Sequence, residues 1–105
     1  MDVQYLYNSE GEWIGFRKGR NVFNKESVWC GWLPWESEEV VDQHGEYLGT
    51  IHGGNRLYHF SDRREHDAPE TPAYPEHPGY VGDPGMIGYE AMPPTAKDVW
   101  FSVEI

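Results

Sequence analysis

Five histidines and a scatter of carboxylates are the first residues in this 105-residue chain with chemistry to offer. His59, Asp62, His66 and Asp67 fall together in HFSDRREHD, with His44 and His52 shortly before them. Imidazole nitrogens and carboxylate oxygens bind metals, and a zinc site gathers about four such ligands, usually including cysteine. A metal-dependent hydrolase built here would use His59 and His66 with an oxygen from Asp62. The spacing fits no recognised ligand pattern, and solvated loop and strand-end histidines account for it better. Asp62 and Asp67 could work as acid and base, but nothing around them in the sequence argues for shifted pKa values. Cys30 is the single cysteine, so no internal disulfide is expected. It aligns with Ile14 and Leu48 and reads as a small buried apolar residue rather than a nucleophile. GTIHGGNR lacks the helix and the Lys-Ser/Thr pair of a phosphate loop. The expectation is a non-enzymatic protein with no catalytic residue, metal or cofactor.

The formal charge of −10 speaks against a binder of nucleic-acid phosphates, which needs a basic stripe, and discourages docking on anionic lipid. Glu36-Ser37-Glu38-Glu39 reads as a solvated loop, with contact to a basic partner as the sharper alternative. The opening MDVQYLYNSEGE has no secretory-signal pattern, and no run approaches the ~18 apolar residues of a membrane span. A cytoplasmic location is expected. What the chain has in quantity is aromatic surface. Fifteen per cent of its residues are Phe, Trp or Tyr, which argues for a packed domain.

The elements that position those rings come from an internal repeat. LYNSEGEWIGF (6–16), VFNKESVWCGW (22–32) and VVDQHGEYLGT (40–50) align at offsets of 16 and 18 residues. Asn8, Asn24 and Asp42 coincide, as do Gly11, Ser27 and Gly45, then Trp13, Trp29 and Tyr47, then Gly15, Gly31 and Gly49. Each unit reads as strand, turn, strand, because Asn or Asp with Gly three residues on tolerates positive φ. LYHF (57–60) opens a fourth unit, and DVWFSVEI (98–105) is the candidate for its missing strand. Strict alternation places Ile14, Cys30 and Leu48 on one face and Trp13, Trp29 and Tyr47 on the other, each ring beside the glycine two residues on. That arrangement would leave a shelf for a sugar, a planar ligand or a peptide.

Residues 69–92 repeat every three residues: PET PAY PEH PGY VGD PGM IGY EAM. One face carries Pro, Val and Ile, one Gly and Ala, and one mostly Tyr and Met. The period matches polyproline II, with three residues per turn. The first expectation is that this segment packs on the chain's own sheet. Packing between subunits, or capture by an aromatic-grooved domain through the PxxP of PETPAYPEHP, are the alternatives.

The repeated phrase N/D-x-x-G-x-aromatic-aliphatic-G, carried by the three aligned segments and extended through IHGGNRLY, resembles the uncharacterised bacterial four-fold beta flower proteins. Members look like tandem hairpins followed by a Pro- and Gly-rich tail. The second copy departs, with Ser27 for the turn glycine and Pro34-Trp35 extending the strand end. The resemblance implies a fold and no known activity.

The expected architecture is all-β: a small sheet or barrel of tandem antiparallel hairpins (1–60), a loop (61–68), the extended Pro/Gly segment (69–94) and a closing strand (95–105). The expected function is protein association, self-association as a homo-oligomer included, through Trp13, Trp29, Tyr47, Tyr74, Tyr80 and Tyr89. A sugar- or nucleotide-binding protein and an acidic inhibitor of a basic protein are the alternatives.

Overall fold

The structure is a computed structural model that describes residues 3–62 and 74–99. It is all-β there, with β1 Gln4–Tyr7, β2 Trp13–Lys18, β3 Asn21–Asn24, β4 Trp29–Trp32, β5 Glu39–Val41, β6 Tyr47–His52, β7 Arg56–Phe60 and β8 Ala96–Asp98. Each strand pairs antiparallel with the next, and β1 also pairs parallel with β7 at Tyr7 and Arg56. The first seven strands therefore close into a small barrel. On β7, one edge takes β6, while the other is shared by β1 at Arg56 and by β8 at Tyr58, His59 and Phe60.

β8 completes the fourth hairpin, with a long excursion in place of a tight turn. The pairing strand lies at Ala96–Asp98, just ahead of most of the stretch that alternation picks out, and residues 100–105 lie outside the described residues. Register shows that Asp98 opposes Tyr58 as Trp13 opposes Tyr7, Trp29 opposes Phe23 and Tyr47 opposes Val41. The fourth unit has a carboxylate where the other three have a ring. Asp98 uses it to accept the Ser9 N–H and the Ser9 hydroxyl, both at 2.7 Å, which fastens β8 to the turn of the first hairpin.

Three bulges, one per hairpin, fix what faces inward. Leu6 opposes Gly15 but Tyr7 opposes Trp13, so Ile14 is an extra residue. Cys30 is extra in the second hairpin and Leu48 in the third. A bulge of this kind breaks the two-residue alternation. The aromatic residue and the glycine two positions on therefore fall on opposite faces. Paired residues share a face, so Gly15, Gly31 and Gly49 lie on the side of Leu6, Val22 and Val40, which is the barrel interior. The core is a cluster of Leu6, Ile14, Val22, Leu33, Val40, Ile51, Leu57 and Val99, with Leu48 packed against it.

The interior leaves no room for side chains at two of those glycines. A methyl at Gly31 would run into the Val41 carbonyl oxygen. One at Gly49 would lie 2.8 Å from the Tyr58 carbonyl oxygen and 3.0 Å from a Val99 methyl. Overfilling a packed core costs about 1–3 kcal/mol. Gly49→Ala should therefore destabilise the fold by that amount, read as a lower urea midpoint with an unchanged slope. Gly82→Ala, where an added methyl meets nothing within 4 Å, should be neutral or mildly stabilising, by up to about 1 kcal/mol. Equal effects at the two positions would refute the crowded interior.

Candidate binding surface

The surface is built from the hairpin turns upward. In each, Asn or Asp receives backbone donors on its side-chain oxygen. Asn8 Oδ1 accepts the Glu12 N–H at 2.9 Å, Asn24 Oδ1 those of Glu26 and Val28 at 2.9 and 3.0 Å, and Asp42 Oδ1 those of His44 and Glu46 at 2.8 and 2.9 Å. Gly11, Ser27 and Gly45 then sit at φ of 84°, 64° and 85°. The aligned position thus demands a left-handed backbone, and Ser27 meets it without being glycine.

The rings that follow these turns lie back along their own strands. Trp13 Nε1 donates to the Gly15 carbonyl at 2.8 Å and Trp29 Nε1 to the Gly31 carbonyl at 2.7 Å. Tyr47 reaches the Thr50 hydroxyl at 2.7 Å instead, and its oxygen also accepts the Phe60 N–H at 3.2 Å. These three aromatics are half-buried. With the glycines turned inward, no bare shelf lies beside the rings. The same outer face carries Tyr5, Phe16 and Phe23 in register, and Phe16 and Phe23 stack at 5.3 Å and are buried.

Part of the cover over that face is a strap, residues 74–93. Straight, the full 24-residue tract would reach roughly 70 Å, twice the longest dimension of the molecule, 35 Å. It turns at His77-Pro78-Gly79 and Asp83-Pro84-Gly85, where Gly79 and Gly85 take φ of 84° and 78°. His77 Nδ1 accepts the Gly79 N–H at 3.0 Å and Asp83 Oδ1 the Gly85 N–H at 2.8 Å. The triplets are thus paired into a six-residue unit, HPGYVG then DPGMIG. Burial keeps the three-residue beat: Pro75, Pro78, Val81, Pro84, Ile87 and Pro93 are half-buried, and their neighbours between 74 and 92 are exposed.

Main-chain contacts hold the strap down. Ser27 Oγ donates to the Gly79 carbonyl at 2.6 Å, and Lys18 Nζ to the Pro78 carbonyl at 3.4 Å. Ile87 N–H donates to the Gly11 carbonyl and Glu90 N–H to the Ser9 carbonyl, both at 2.9 Å. A methyl on Gly11 would strike the Ile87 carbonyl. Arg56 is the rivet. Its buried guanidinium donates to the carbonyls of Asn8 at 2.9 Å, Ser9 at 3.3 Å and Gly88 at 2.6 Å, with Glu90 at 4.0 Å.

The profile of the 4-fold beta flower protein family matches residues 1–100, and so spans hairpins and strap together. The chain belongs to the four-fold beta flower family. No curated protein and no solved structure matches it. The petals of this beta flower are the three bulged hairpins and the split β7–β8 pair.

Of the residues expected to bind, the beta flower fold brings Tyr74 onto Trp29, edge to face at 5.0 Å. Tyr74, Tyr80 and Tyr89 are 76%, 79% and 68% exposed, and Met86 is 70% exposed. Six-residue spacing sets Tyr74, Tyr80, Met86 and Met92 in one series. Trp13 lines an open groove of about 260 Å³ with Glu12, Lys25, Asp83, Gly85 and Met86. The sequence did not single out Met86, although its place in the third column of triplets marks it. Arg56 had no signal at all, because only the folded chain shows which carbonyls surround it.

Two of the three candidate metal ligands are otherwise engaged. His59 Nδ1 lies 3.1 Å from the Leu48 carbonyl, and Asp62 accepts the Thr95 hydroxyl at 2.8 Å. His66 lies outside the described residues, and among the described residues no three metal-binding side chains converge. Cys30 is half-buried at its bulge. Burial above all, opposed by a hydrogen bond from the Asn24 backbone and aided by the Glu26 charge, raises its thiol from 9.0 to about 11. Burial also raises the phenols of Tyr7 and Tyr58 above their ordinary 10.0.

Two outcomes follow for measurement. Replacing Arg56 with Met leaves three carbonyls without their charged donor, which should cost at least about 2 kcal/mol and speed amide exchange at Ile87 and Glu90. Unchanged exchange there would show that Arg56 does not hold the strap. The folded chain keeps the Cys30 proton longer than the unfolded chain does. Its contribution to stability should thus be complete below pH 9.0 and fall as pH rises toward about 11. Urea midpoints should show this loss in the wild type, and Cys30→Ser should lessen it. Equal alkaline loss in both proteins would refute the assignment.

Proposed function

We propose that this protein is a non-enzymatic binding or assembly module of the cytoplasm, joining the chain to other protein through the strap and the rings beneath it. The observation that carries this reading is the exposure of Tyr74, Tyr80, Met86 and Tyr89 along a segment whose backbone is fastened to the barrel. A tethered strap cannot turn these side chains inward. Exposed apolar series of this kind are the usual mark of a protein interaction site, and Tyr and Met are favoured in such sites. The single cysteine supports a reducing compartment.

Self-association is one form of this reading, and like charge on every copy opposes it. A homo-oligomer held by the strap should therefore grow in mass, by light scattering, as salt screens the −10 charge. A photo-reactive phenylalanine in place of Tyr80 should cross-link to protein, its own or another, and one in place of the exposed turn residue His44 should not. A monomer at all salt concentrations, with no cross-link from position 80 in cell extract, would end the proposal.

A further inference from the structure

We propose that the strap takes a basic segment of another protein, one that presents arginine. The inference rests on the reading of the strap as a protein-binding surface and names the chemistry of its partner. Between Tyr74 and Ala96 the formally charged residues are Glu76, Asp83 and Glu90, all acidic. Glu90 already faces Arg56, which leaves Glu76 and Asp83 for a guest, set between the exposed rings Tyr74, Tyr80 and Tyr89. A guanidinium is the cation that suits such a surface, because it stacks flat on an aromatic face and still donates to carboxylates at its edge. An ammonium keeps its hydration shell and gains less from the rings.

The groove beside the strap repeats the same chemistry in concave form. The Trp13 ring and the Met86 thioether line it together with the carboxylates of Glu12 and Asp83. Its volume of about 260 Å³ suits one long side chain rather than a cofactor. Lys25 is the one cation on its wall and should work against the guest. The whole chain, at −10, draws a basic partner from a distance and repels a second copy of itself. A partner segment would lay its backbone along the strap and set one arginine into the groove.

The test uses the full chain and labelled nona-arginine, nona-lysine and nona-glutamate peptides, followed by fluorescence anisotropy at about 150 mM salt. Nona-arginine should bind about tenfold more tightly than nona-lysine, and nona-glutamate should not bind. Binding of nona-arginine should weaken as salt rises. Tyr80→Ser and Tyr89→Ser together should remove most of the arginine preference while leaving thermal unfolding unchanged. Lys25→Gln should tighten nona-arginine binding and Glu12→Gln should weaken it. Equal affinity for the two basic peptides, unaffected by the tyrosine substitutions, would show only the pull of net charge and overturn the proposal. If the basic peptides fail to bind while position 80 still cross-links to protein, the basic partner is refuted and the binding surface stands.

Discussion

The barrel interior is too narrow for side chains where Gly31 and Gly49 face it. An added methyl meets the carbonyl of a neighbouring strand at both places. Much else in the structure follows from that crowding. The glycines turn inward because a bulge at Ile14, Cys30 and Leu48 reverses the facing of each strand between the ring and the glycine. The same reversal drives Trp13, Trp29 and Tyr47 outward. A small barrel with a thin aliphatic filling therefore acquires an aromatic outer coat, and a coat of that kind has to be covered.

The strap supplies part of that cover from within the chain. Its Pro, Val and Ile residues turn toward the barrel on every third position, and the hairpin turns receive its backbone. Arg56 joins the first turn to the strap by donating to carbonyls of both. A cation so deeply buried is tolerated because carbonyl oxygens and Glu90 surround it. Asp98 does a similar task on the other side of the same turn. Its carboxylate accepts two donors from Ser9 in the place where the other three units carry a ring. The first turn is thus the junction between barrel, strap and fourth hairpin.

Covering one aromatic layer exposes another. Once the first column of the triplets faces inward, the third column faces solvent, since the faces of a three-residue repeat are fixed relative to each other. Tyr74, Tyr80, Met86 and Tyr89 are outward for that reason, and the proposed association depends on it. The half-buried Cys30, with its raised thiol, and the engaged His59 and Asp62 offer less chemistry than their residue types suggest.

The aligned Asn/Asp, Gly and aromatic positions determined the hairpins and their turns, because side-chain capping and left-handed φ are local demands. Even Ser27 follows them, at φ 64°. The triplet period determined that one column of the tract would be covered and another exposed. The direction each glycine faces was not legible, because one unpaired residue per hairpin reverses it, and a bulge is a relation between two strands. The fourth hairpin was legible in outline, from LYHF and a closing strand, but the place of that strand at Ala96–Asp98 was not, because Asp98 breaks the aromatic pattern and its partner β7 lies far away in the chain. Arg56 and the doubling of triplets into HPGYVG and DPGMIG were likewise settled only by tertiary structure. Which carbonyls gather round a guanidinium, and where a strap must bend to stay on a barrel, depend on distances between segments remote in sequence.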